Sequence, residues 1–276
     1  MTRREAMAVI AAGLFRLRLH ASAGVAPAAL ERIFDRAYNF DFASGRRLAD
    51  RYVAEYPGDP LGYASRAAVE LFGEMRRLGV LESEFFTDSG GRLRKKKLEA
   101  SGAVREQLFG DTKQAIELAG EILIREPENA DARFARCLAY GVETDYAAFI
   151  DKKTFETLSR AKESQKYAAD LVERHPEYAD GYLTTGISEY FIARLPFFIK
   201  WFVRLPGVEG KKEKALEQLS FAAEKGRYLG PFAKVLLVVI ALREEEKGEA
   251  RRLLEELSRD YPENILFRKE LQKLKN

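Results

Sequence analysis

The sequence predicts an all-α protein built from stacked antiparallel helix pairs, and three observations carry that prediction. Prolines recur at helix ends, in Glu55-Tyr56-Pro57, Arg125-Glu126-Pro127, Arg174-His175-Pro176 and Asp260-Tyr261-Pro262, and proline cannot continue a helix because it lacks an N–H and clashes with the preceding turn. Twelve residues before each proline stands a small residue, Gly45, Ala115, Ser164 or Ala250; ten residues after the first three stands another, Ala67, Cys137 or Gly186. Small side chains at a fixed distance from a helix end mark the points where helices cross closely. No segment shows the period-two alternation of a strand.

Hydrophobic residues make up 46% of the 276 and charged residues 32%, enough apolar surface for a folded chain. The net charge of +3 is local: residues 1–23 hold Arg3, Arg4, Arg16 and Arg18 against Glu5 alone, and the remainder is neutral. Nothing in that balance points to nucleic acid. Cys137 is the only cysteine, which excludes an intrachain disulfide and a multi-thiolate zinc site.

Taken from the amino terminus, Thr2-Arg3-Arg4-Glu5, the apolar run Ala6 to Phe15, Arg16-Leu17-Arg18-Leu19-His20 and Ala21-Ser22-Ala23 follow the order of a signal peptide. The apolar run is too short to span a bilayer. Residues 1–23 are therefore expected to be an export signal similar to the twin-arginine kind, cleaved after Ala23, with a periplasmic product. Were the signal absent, the chain would be cytoplasmic.

The helical domain is expected over 24–276. The stops divide it into pairs at 27–57, 60–127, 130–176, 179–227 and 230–262, with a capping helix at 264–274. The prolines are unevenly spaced, so insertions must be accommodated. One, near 79–102, contains Ser89-Gly90-Gly91 and the basic run Arg92 to Lys97, read as a loop with a solvated charge run. The other, 195–210, places Phe197, Phe198, Ile199, Trp201, Phe202 and Val203 within seven positions, flanked by Pro196 and Pro206. It is read as a connector that either fills the hollow of the array or meets a membrane surface.

These offsets resemble the tetratricopeptide repeat superfamily, over residues 27 to 274. Tyr63 and Tyr182 stand where that pattern carries an aromatic residue, and Arg133 departs from it. Residues 181–244 are similar to bacterial exported tetratricopeptide proteins, in Gly186 with Tyr190, Leu195-Pro196, the apolar connector, the charged stretch Lys211 to Ala223 and Lys225-Gly226-Arg227-Tyr228. The resemblance implies a concave groove lined by the first helix of each pair. Carried over residue by residue, the groove comprises Leu71 and Phe72, then Phe134 and Leu138, then Leu183, Ile187, Tyr190 and Phe191, and it lacks the Lys and Asn side chains that clamp a peptide carboxylate.

Chemistry is not expected. After export His175 is the only histidine and precedes Pro176 at a helix end, which removes Ser-His-Asp triads and histidine zinc sites. Cys137 falls at a buried crossing, and no glycine-rich phosphate loop occurs. Glu143 and Asp145 form a carboxylate pair expected to face solvent. The reading is a cofactor-free, metal-free scaffold that holds another protein or peptide in an apolar groove; the alternative is a carrier of a lipid or other apolar ligand.

Overall fold

The computed structural model describes residues 25–81, 99–195, 205 and 207–274. The signal segment, the basic run and the connector aromatics Phe197, Phe198, Trp201 and Phe202 lie outside the described residues. Eleven α-helices occur among the described residues: α1 (Val25–Tyr38), α2 (Phe42–Glu55), α3 (Pro60–Arg77), α4 (Gly102–Arg125), α5 (Ala130–Asp145), α6 (Thr154–Arg174), α7 (Gly181–Arg194), α8 (Lys212–Lys225), α9 (Gly230–Arg243), α10 (Lys247–Asp260) and α11 (Ile265–Lys273). A π-helical turn, Tyr146–Asp151, joins α5 to the loop before α6. No strand occurs among them.

Consecutive helices pack in sequence: α1 on α2, α3 on α4, α5 on α6, α7 on α8 and α9 on α10, with α11 against α10. Neighbouring pairs join through α2 on α3, α4 on α5 and α8 on α9, and α3 also lies directly on α5. The result is an α-solenoid whose helices alternate between an inner and an outer row.

The small residues counted from the prolines sit at the crossings. Ala67, Ala115 and Ala250 are fully buried. The Ser164 hydroxyl on α6 donates to the Cys137 carbonyl on α5 at 3.0 Å. A Cβ on Gly186 would stand 2.8 Å from Leu219 Cγ and 3.2 Å from the Leu219 nitrogen, so only glycine lets α7 approach α8 this closely. Arg133, the departure from the aromatic position, is buried and its Nε bonds the Asp170 carboxylate on α6 at 2.5 Å.

Helix starts fall into two groups. In the amino-terminal half, side-chain caps are local: Asp41, Asp59, Ser101 and Asn129 each accept a backbone N–H of their own first turn, the usual role of these residues. Helices α7 to α10 have no such cap. At two of them the function passes to α7. Asp180, at the start of α7, accepts the N–H groups of Arg227, Tyr228 and Leu229 at 2.6–2.9 Å, immediately before α9. Glu189, 1% exposed, accepts those of Glu209, Gly210 and Lys211 immediately before α8 and pairs with Lys214 at 2.8 Å. Negative charge belongs at a helix amino terminus, where N–H groups are unpaired and the dipole is positive. One helix therefore anchors the starts of the next two.

The array also closes on itself. The Tyr38 hydroxyl on α1 donates to the Tyr228 carbonyl at 2.9 Å, and the Asn264 amide donates to the Tyr38 carbonyl at 2.8 Å. Rings of Phe34 and Tyr228 lie 5.7 Å apart, those of Tyr38 and Tyr261 5.4 Å apart, and Arg227 pairs with Glu31. Both ends of the described chain thus meet at one seam.

Candidate functional site

The groove residues expected from sequence lie on α3, α5 and α7, and the two ends of this row differ. At the end near the seam the chain supplies its own contents. Tyr228 stacks on Phe134 with centroids 5.9 Å apart, Tyr178 approaches the same ring at 5.2 Å, and Phe232 meets Phe72 edge-on at 5.3 Å. The turn between α8 and α9 sits against the inner faces of α3 and α5. Leu71, Phe134, Leu138, Leu183 and Tyr190 are buried in the main core, while Phe72 and Ile187 are half-buried. Phe191, on the last turn of α7, is 56% exposed. What stays open at these eight positions is the carboxyl end of α7.

That end is ordered by charge. Glu244, just past α9, accepts from Arg194 Nη1 and Lys212 Nζ, each at 2.8 Å, and lies 3.4 Å from the Tyr190 hydroxyl. The Lys212 bond, outweighing partial burial, holds the Glu244 carboxyl below the usual range. Tyr190, Arg194, Lys212 and Glu244 therefore tie α7, α8 and α9 together beside Phe191.

The candidate chemical groups are dispersed. Burial pushes the Cys137 thiol up to about 11, and its sulfur lies 3.3 Å from the Thr184 hydroxyl; such a thiol is a packing group rather than a nucleophile. Glu143 does not face solvent: it is buried, accepts from Thr112 at 2.7 Å and pairs with Arg160 at 3.0 Å. The apolar face of α5 against α4 and α6 draws it inward, where these partners satisfy it. Asp145 is half-buried, and loss of water around it raises its carboxyl to about 7. Two residues apart on one helix, these carboxylates point to different sides and form no acid–base pair. Among the described residues no group of three or more His, Cys, Asp or Glu is placed to hold a metal ion, and no helix is long and apolar enough to cross a membrane.

The helix pairs, their small-residue crossings and the inner and outer rows define a tetratricopeptide-like α-solenoid. The structure is similar to that of a thermophilic tetratricopeptide protein from Thermus thermophilus, at 14% identity and a TM-score of 0.48, with 90% of this chain and 98% of that one covered. No family model and no curated protein matches the chain.

Sequence reasoning missed Asp180 and Glu189, Tyr228 and the seam. A local signal existed for the first two: α7 to α10 start without Ser, Thr or Asn at the capping position, which leaves N–H groups to be satisfied from elsewhere.

Proposed function

We propose that this protein is a non-catalytic scaffold that holds another protein at the open end of its inner face, around Phe191. The supporting observation is the contrast along α7. Leu183 and Tyr190 are buried in the core, whereas Phe191 on the same helix presents a large apolar ring to solvent. A ring left in water forgoes on the order of 2 kcal/mol of burial, and rigid aromatic anchors dominate protein interfaces. The occupied seam end confines a partner to this mouth, so it would be met as a short apolar segment and not along the whole groove. The signal-like order of residues 1–23 supports action in the bacterial envelope.

The test is Phe191→Glu. Because the side chain is exposed, the melting temperature should stay within about 2 °C of the parent, while recovery of the cellular partner falls at least about tenfold, as expected for loss of an apolar anchor. Unchanged recovery with an unchanged melting temperature would remove Phe191 from the contact.

A further inference from the structure

A second surface lies on the other side of α9. Helices α8 and α10 flank α9 without closing over it, leaving a cavity of about 480 Å³. Its floor is apolar: Leu216 from α8, Leu237 and Ile240 from α9, and Leu253 from α10. The lining of α8 runs from Lys212 to Glu224, about 18 Å at 1.5 Å per residue. That length matches roughly three turns of a partner helix, and the volume admits its side chains while its backbone rides on the rim.

The rim has a sign. Five glutamates, residues 224, 244, 246, 249 and 256, face three cations, Lys212, Lys234 and Arg252. The cations are committed within the rim, Lys212 to Glu244 at 2.8 Å, Lys234 to Glu256 at 3.0 Å and Arg252 to Glu249 at 2.6 Å. The balance is a net negative edge around an apolar trough. Helix-in-groove recognition needs an apolar stripe on the guest, and specificity comes from charges at its flanks.

We infer that the α8–α10 groove is a docking site for an amphipathic helix of a partner protein whose polar flanks carry lysine or arginine. It is a surface separate from the Phe191 mouth and stands or falls without it.

The probe is a labelled amphipathic leucine–lysine peptide of about 15 residues, the length at which a helix becomes stable in water, with a twin in which every lysine is glutamate. Anisotropy titrations on the full chain should show the lysine peptide binding at least about tenfold more tightly than the twin, the effect of two or three rim charge pairs. Glu224→Lys with Glu246→Lys, both on exposed positions, should reverse that preference. Ser220→Trp, exposed in the middle of the α8 wall, should fill the trough and abolish binding while the circular dichroism spectrum and melting temperature are kept. Equal binding of the two peptides, no binding of the lysine peptide, or binding indifferent to Ser220→Trp overturns the proposal. So does a concentration-dependent dimer that Ser220→Trp abolishes, since it assigns the groove to a second copy of this chain.

Discussion

The Asp180 carboxylate accepts the backbone N–H of Leu229 at 2.6 Å, although 49 positions separate them. With the N–H groups of Arg227 and Tyr228 on the same carboxylate, this fixes the turn that lies between α1, α5 and α9. Burial raises the Asp180 carboxyl, and the three N–H bonds oppose that rise. Replacing Asp180 with alanine orphans donors at two buried residues, Tyr228 and Leu229. Each orphan costs about 1–3 kcal/mol, and relief from burying the carboxylate offsets part of it. A loss of about 2–3 kcal/mol in urea unfolding is expected; a loss below about 0.5 kcal/mol, the range of an ordinary surface change, would mean that the turn holds without the cap.

Two glycines give opposite outcomes for the same substitution. Glycine inside a helix costs up to about 1 kcal/mol relative to alanine. At Gly110, where nothing lies within 4 Å of a built Cβ, Gly110→Ala should stabilise by roughly that amount. At Gly186 the new methyl would meet Leu219 at 2.8 Å, and overpacking of about 1–3 kcal/mol outweighs the propensity gain. Thermal unfolding of the two variants should shift in opposite directions.

Asp145 makes stability depend on pH. Its folded value of about 7 lies above the unfolded value of about 3.9. Between about pH 4 and 7 the folded chain therefore holds more protons than the unfolded one, and stability falls as pH rises through this window. Its position as the last residue of α5 adds the unfavourable carboxyl-terminal dipole. The full shift would correspond to about 4 kcal/mol, and partial exposure reduces it to about 1–2 kcal/mol. Asp145→Asn should match the parent near pH 4 and exceed it by that amount at pH 8, measured by chemical unfolding at both pH values.

The seam is testable at Asn264, which caps α11 through the Leu266 N–H at 3.0 Å and bonds the Tyr38 carbonyl at 2.8 Å. Asn264→Ala removes both, for a loss of about 2 kcal/mol. Hydrogen exchange should also accelerate in residues 25–38, more than 200 positions away in sequence. Acceleration confined to α11 would show that Tyr38 does not depend on the contact.

The helix pairs are legible in the sequence because their determinants are local. A proline ends a helix whatever lies beyond it, and the crossing of two consecutive helices needs small residues within one pair, such as Cys137 and Ser164. The seam is illegible because Tyr38 and Tyr228 meet across 190 positions, and no periodicity records which repeats face one another after the array has turned. The exposure of the groove residues depends on that turn as well: Phe134 is covered by Tyr228, and Phe191 is not. Arg133 stands out as a defect in the pattern because its partner, Asp170, lies on the next helix. The burial of Glu143 escapes a sequence reading because its partners, Thr112 and Arg160, belong to the helices on either side.

The most direct test of the scaffold reading places a photo-crosslinking amino acid at position 191 in living cells, with position 155 as the control, since Phe155 is 89% exposed at the start of outer helix α6. The account predicts a discrete protein adduct from position 191 and none from position 155. Identical adducts from both positions, or a lipid adduct without protein at 191, would contradict it.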